Sequence, residues 1–110
     1  MKPDEIVNSV FEQLKASVNE KLVKQGYQPV HDQHRDPLYN SRYMIWSNNQ
    51  EALQLTWDGK EGLFILAVTS VLPLNALTQW TEIIEVPFDE QNEDSAYATG
   101  IIQQVLNGLD

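Results

Sequence analysis

The chain has 110 residues, of which 42% are hydrophobic and 21% charged, values typical of one globular domain with a hydrophobic core. It contains no cysteine, which excludes disulfides, thiolate metal sites and thiol nucleophiles. Its net charge of −9 disfavours direct nucleic-acid binding, because a negative field repels phosphate groups. We therefore expect a single domain over residues 1–110.

The same features predict where the protein is found. The first residues lack the basic-then-apolar pattern of a secretory signal. The longest apolar stretch, residues 63–68, is far shorter than the ~20 residues that span a bilayer. A chain without cysteine fits a reducing compartment. We expect a cytoplasmic protein that does not bind membranes.

The chain begins with a predicted amphipathic helix over residues 4–25. Its apolar residues recur at spacings of three and four, as on one face of a helix. They are Ile6, Val7, Val10, Phe11, Leu14, Val18 and Leu22. Pro3 suits the first turn, and Gly26 supplies a left-handed stop.

The next segment has no clear period. Residues 27–30 predict a short edge strand, because Pro29 cannot donate to a strand ladder. The polar residues 31–37 predict a loop. If the side chains of residues 31–42 converged on a pocket, this longer segment would be the site of a small-molecule- or metal-binding enzyme. The candidate ligand residues are His31, His34, Arg35 and Arg42.

A solvated loop is the simpler interpretation of that segment. Two histidines three residues apart point to opposite faces of an extended chain, which opposes chelation of a metal. The phosphate-binding and hydrolase motifs are also missing from the sequence. We therefore predict no catalytic residue, no metal and no cofactor.

Three strands are predicted to follow as an antiparallel meander. They cover residues 42–47, 51–57 and 63–70. A two-residue turn at Asn48-Asn49 would place Ser47 opposite Gln50. The inner face then carries Met44, Trp46, Leu53, Leu55 and Trp57, joined by Phe64, Leu66 and Val68 if the second loop has an even length. The outer face is mixed and carries Tyr43, Ile45, Gln54, Thr56, Leu63, Ile65 and Ala67.

The last third of the chain is predicted to hold two helices and a strand. A short helix over residues 74–79 and a strand over 80–86 are favoured, although the second stretch also fits a helical face. The final helix is predicted over 93–107, with Asn92 as its cap. Gly100 inside this helix suggests that a neighbour approaches closely there.

The charges are distributed unevenly along the chain. All seven basic residues lie in the first sixty positions, whereas residues 61–110 hold eight acidic residues and no Lys or Arg. Six of these acidic residues are Glu82, Glu85, Asp89, Glu90, Glu93 and Asp94. Such a cluster attracts basic surfaces. It also improves solubility, and that alone is the simpler explanation. Glu82 and Glu85 are expected to diverge if their stretch is a strand.

Together these elements predict an α+β fold. An N-terminal helix and a C-terminal helix pack on one face of an antiparallel meander of four to five strands. In architecture and charge this resembles bacterial secretion chaperones and toxin-immunity proteins. We expect a non-catalytic module that binds a basic protein partner or itself. The candidate contacts are the acidic cluster together with Tyr43, Ile45, Leu63 and Ile65 on the outer face.

Overall fold

The computed structural model describes residues 2–34 and 38–109, apart from the side chain of residue 34. It has an N-terminal helix, a five-stranded antiparallel sheet and a C-terminal helix, which confirms the predicted α+β fold. The elements are α1 (Pro3–Val23), β1 (Gln28–His34), β2 (Arg42–Ser47), β3 (Ala52–Asp58), β4 (Leu63–Thr69), β5 (Thr81–Pro87) and α2 (Ser95–Asn107). The strand order β1-β2-β3-β4-β5 is that of a meander. Neither helix in this part of the chain combines the length and the apolarity that crossing a bilayer requires.

Helix α1 forms where its apolar stripe predicts. All seven residues of the stripe are buried. At its start, the Glu5 carboxylate accepts a hydrogen bond from the backbone N–H of Lys2 at 3.3 Å. The helix ends at Val23, two residues earlier than predicted. After the helix, Gly26 adopts the left-handed backbone conformation, with a φ of 89°, as its position suggested.

The hairpin between β2 and β3 has a longer turn than predicted. Ser47 pairs with Ala52 rather than with Gln50, so the turn has four residues. The Asn48 side chain accepts hydrogen bonds from the backbone N–H groups of Gln50 and Glu51 at 3.0 and 2.9 Å. The register therefore moves by two residues. Because side chains alternate with a period of two, every residue keeps its predicted face.

The inner face of the sheet lies under both helices, as predicted. Asp58 pairs with Leu63, so the second loop also has an even length and the third strand keeps its predicted face. Both helices contribute residues to the same apolar cluster. The completely buried sheet residues on this inner face are Trp46, Leu55, Trp57, Phe64 and Leu66. Trp46 and Trp57 therefore fill the core.

Strand β1 is longer than predicted. It covers residues 28–34, so the prediction of a loop from residue 31 is wrong for residues 31–34. The strand is at the edge of the sheet, and its register shifts beside Pro29. Lys15 of α1 reaches across to Asp32 at 2.9 Å. An edge strand that is partly solvated and paired in this way tolerates a polar sequence without alternation.

Residues 71–80 are a turn-rich segment, so the predicted helix over 74–79 is wrong. The Asn75 side chain accepts a hydrogen bond from the backbone N–H of Leu77 at 2.7 Å. The Thr78 hydroxyl accepts one from the N–H of Asn75 at 2.8 Å. Such side-chain bonds to the backbone compete with the helical ladder. Strand β5, which follows, begins and ends one residue later than predicted.

Helix α2 begins two residues later than predicted, with Asp94 rather than Asn92 as its N-cap. The Asp94 carboxylate accepts a hydrogen bond from the backbone N–H two residues further on, at 2.9 Å. No neighbour approaches Gly100, where a Cβ atom would meet nothing within 4 Å. The close approach is at Gly108, where a Cβ atom would lie 2.7 Å from Ile84 Cγ2.

Candidate functional site

Strand β5 has a free edge. It pairs with β4 on one side, and no strand among residues 2–34 and 38–109 pairs with its other side. Five of its seven residues are exposed. The backbone N–H and C=O groups along such an edge are available to a further strand. We call Thr81–Pro87 together with residues 88–94 the acidic edge.

A bulge in β5 places Glu82 and Glu85 on the same face of the sheet. Glu82 pairs with Ala67 and Glu85 pairs with Ile65, so one extra residue lies between them. That residue is Ile83, which is 41% exposed. The prediction that two strand residues three apart diverge is therefore wrong here, because a bulge shifts the alternation by one residue. Both carboxylates face outward.

The two carboxylates interact directly. A hydrogen bond with Glu85 raises the pKa of Glu82, and the negative charge of Glu85 acts in the same direction. Ionisation of Glu82 is therefore less favourable than that of an isolated glutamate. A cationic group placed beside Glu82 would favour its ionised form.

The connection from β5 to α2 carries the remaining predicted acidic residues, Asp89, Glu90, Glu93 and Asp94. Two of them also shape the backbone. Asp89 accepts a hydrogen bond from the N–H of Gln91 at 3.0 Å, and Asp94 caps α2. Their charges extend the negative potential of the edge to the start of α2, where the positive helix end offsets part of it.

The ion pairs in the described part of the chain lie elsewhere. They are Lys15–Glu12 (3.0 Å), Lys15–Asp32 (2.9 Å), Lys24–Glu20 (3.9 Å) and Arg42–Glu12 (2.8 Å). Burial opposes the charge of Lys15, but its hydrogen bonds to Asp32 and Glu12 outweigh burial and raise the pKa of Lys15. None of these pairs reaches Glu82 or Glu85. The cations of these four ion pairs therefore leave the carboxylates of Glu82 and Glu85 available to a cationic partner.

The predicted apolar contacts lie on the outer face of the sheet, but this face is partly covered. These residues are Tyr43, Ile45, Leu63 and Ile65. Residues 71–80, which we call the covering segment, cross the face and share a cavity with it. Ile45 is only 6% exposed, whereas Leu77 on the covering segment is 88% exposed. Ile45 is therefore not an exposed contact, and the other three residues are half-buried.

The predicted ligand residues are divided between the two faces of the sheet. His31 pairs with Ile45 and faces outward, whereas Arg42 pairs with Trp57 on the inner face. The described residues include no group of three His, Asp or Glu side chains that could hold a metal ion. The alternative of an enzyme site requires His31 and Arg42 to converge, and this arrangement gives it no support.

Arg42 instead joins the sheet to α1. Its guanidinium donates to Glu12 Oε1 at 2.8 Å and to Asn8 Oδ1 at 3.3 Å, and lies 4.5 Å from the centre of the Phe11 ring. These contacts use both terminal nitrogens of the fork of donors that would bind an anion. The other predicted ligands, Arg35 and the side chain of His34, lie outside the described residues.

A cavity that the sequence analysis missed lies between the outer face and the covering segment. Its volume is about 470 Å³. Its polar and aromatic walls are His31, Tyr43 and Gln54 from the sheet and Asn75, Thr78 and Trp80 from the covering segment. The one signal in the sequence was Trp80, a large aromatic residue that the predicted core did not require. We call this space the outer cavity.

Comparisons with models of protein families, with curated proteins and with solved structures find no match for this chain. The acidic edge and the outer cavity are therefore the features from which its function is inferred.

Proposed function

We propose that this protein is a non-catalytic protein-binding module whose acidic edge binds a partner with a basic surface. The observation that carries the proposal is the free edge of β5, where Glu82 and Glu85 face outward together. Such a role is analogous to that of a chaperone or of an immunity or inhibitor protein. The proposal includes a cytoplasmic location, with which the cysteine-free composition agrees.

The edge supplies two kinds of interaction at once. A free edge strand can accept an extended segment of a partner, and the backbone hydrogen bonds then provide affinity. The carboxylates beside that edge provide selectivity for Lys or Arg side chains. Neither interaction requires a catalytic group or a metal.

The sign of the charge favours a partner over a second copy. Two copies that met along β5 would bring the same carboxylates together, and like charges at an interface oppose association. Charged side chains on an edge are also a means by which proteins prevent it from pairing with a second copy. We therefore propose a different, basic partner, and self-association becomes an outcome of the test.

A pair of synthetic peptides tests the proposal. One alternates Lys with Val, and the other has Glu in place of each Lys. Titration of isotope-labelled protein, followed by amide NMR, should shift the backbone signals of β5 with the Lys peptide only. Binding should weaken as salt is added, because exposed charges are screened.

Charge reversal on the protein supplies the matched control. Glu82→Lys and Glu20→Lys change the net charge equally, and both replaced side chains are exposed. Glu20 lies on α1, away from the acidic edge. Only Glu82→Lys should weaken binding of the Lys peptide. Equal loss in both variants, equal binding of both peptides, or concentration-dependent dimerisation through β5 would each refute the proposed partner chemistry.

A further inference from the structure

We infer that the outer cavity binds an uncharged, polyhydroxylated small molecule with the chemistry of a sugar. Its volume of about 470 Å³ falls within the range of small-molecule sites, about 300–1,000 Å³. A second cavity of about 490 Å³ adjoins it and shares His31 and Leu74 as walls. The two cavities together have space for a molecule larger than a single sugar ring.

The cavity is formed by the fold itself, before any ligand arrives. The covering segment is joined to the end of β4 by a hydrogen bond from the N–H of Val71 to the Thr69 hydroxyl at 3.3 Å, and its own turn is closed by one from the N–H of Thr78 to the carbonyl of Asn75 at 3.1 Å. Below it, Gln54 and Tyr43 stand on neighbouring strands of the sheet. A site that is already ordered loses little entropy on binding.

The side chains of the cavity specify the ligand chemistry. The lining contains no Asp, Glu, Lys or Arg. Gln54, Asn75 and Thr78 offer uncharged donors and acceptors, which match hydroxyl groups. Tyr43 and Trp80 offer aromatic rings, which cover the apolar C–H face of a sugar. A charged ligand would lose hydration without gaining a counter-charge from Asp, Glu, Lys or Arg, and the net charge of −9 further opposes a phosphate.

This site is separate from the acidic edge. In the sheet ladder, Gln54 pairs with Ala67, and Ala67 pairs with Glu82. Two strand spacings separate Gln54 from Glu82, about 10 Å. The carboxylates of the edge do not line the cavity. The sugar proposal can therefore be tested independently of the protein-binding proposal.

The three tryptophans provide a direct test by NMR of their indole N–H signals. The probes are methyl glucoside, N-acetylglucosamine and maltose at millimolar concentration, with glucose 6-phosphate as the charged comparison. The Trp80 signal should shift with at least one neutral sugar. The Trp46 and Trp57 signals should not, because both side chains are completely buried in the core. Glucose 6-phosphate should bind more weakly than the neutral sugars.

Variants of the cavity complete the test, with binding followed by the backbone amide NMR signals of the covering segment, because Trp80→Ala lacks the indole probe. Trp80→Ala and Gln54→Ala should each weaken binding about tenfold or more, the loss expected when a well-placed contact is removed. Leu77→Ala should bind like the wild type, because Leu77 lies on the covering segment but does not line the cavity. The proposal is overturned if no neutral sugar shifts Trp80, if Trp80→Ala binds unchanged, or if the phosphate binds better.

Discussion

Replacing Gly108 with alanine tests how closely the end of α2 packs on the sheet. The new Cβ atom would lie 2.7 Å from Ile84 Cγ2, 3.1 Å from the carbonyl oxygen of Val105 and 3.3 Å from Leu66 Cδ1. The Ile84 methyl group is fixed close to its backbone by the stiff β-branched rotamer, so it cannot swing away cheaply. Overpacking of this kind costs about 1–3 kcal/mol of stability.

Gly100, inside α2, provides the matched control for Gly108, which caps the C-terminal end of the same helix. A Cβ atom at Gly100 would meet nothing within 4 Å, and the residue is exposed. Alanine is favoured over glycine in a helix interior by about 0.5–1 kcal/mol. One substitution, made at two positions eight residues apart, should therefore change the free energy of unfolding with opposite signs. The two variants should differ by about 1.5–4 kcal/mol.

Urea denaturation followed by tryptophan fluorescence measures both changes. In a domain of this size, 1 kcal/mol corresponds to a shift in Tm of about 4–8 °C. Gly108→Ala should therefore melt several degrees below the wild type, and Gly100→Ala a few degrees above it. If Gly108→Ala were as stable as the wild type, α2 would not contact Ile84 and Leu66 as described. If Gly100→Ala were destabilised, the close neighbour predicted at that position would exist after all.

Three further substitutions test individual polar contacts. Tyr27→Phe removes the hydrogen bond from the hydroxyl to Glu51 and should cost about 1–2 kcal/mol in urea denaturation. Burial raises the pKa of Tyr27 from 10.0 to about 12, so the folded state holds this proton longer than the unfolded state does. The wild type should therefore lose stability between these two pH values, and Tyr27→Phe should lack this loss. Glu82→Gln removes a carboxyl whose pKa is raised by its hydrogen bond with Glu85, so it should melt above the wild type at neutral pH. This gain should vanish as acid protonates Glu82, and a constant gain at all pH values would contradict the reasoning. Arg42→Lys keeps the charge but loses the fork of donors that binds α1. It should lower the free energy of unfolding by about 1–2 kcal/mol. An unchanged urea midpoint would contradict this.

The faces of the sheet could be predicted because they depend on a short-range rule. Alternation with a period of two correctly placed Trp46 and Trp57 in the core. The prediction of their face was unaffected by a turn that is two residues longer than predicted, because two is one full period. The stripe of α1 followed in the same way from helical spacing. Both patterns are local, so a single sequence carries them.

The features that the sequence did not show depend on contacts between distant residues. The bulge at Ile83 exists only through the pairing of β5 with β4. Residues 31–34 become a strand because β2 lies beside them, although their own sequence resembles a loop. The spacing of Leu74 and Leu77 resembles that of a helix, yet Leu77 is exposed and the segment follows the outer face. The acidic residues of the candidate site were predicted, whereas the cavity beside them was not.

Salt separates the two proposed binding events on this protein. The carboxylates of Glu82 and Glu85 are exposed, so their attraction for a cationic partner decays over the Debye length, about 8 Å at physiological ionic strength. Gln54 lies about 10 Å from Glu82 across the sheet, and its cavity has no charged wall. Added salt should therefore weaken binding of the basic peptide and leave binding of a neutral sugar unchanged. If both affinities fell together with salt, the cavity would not be the uncharged site that its lining indicates.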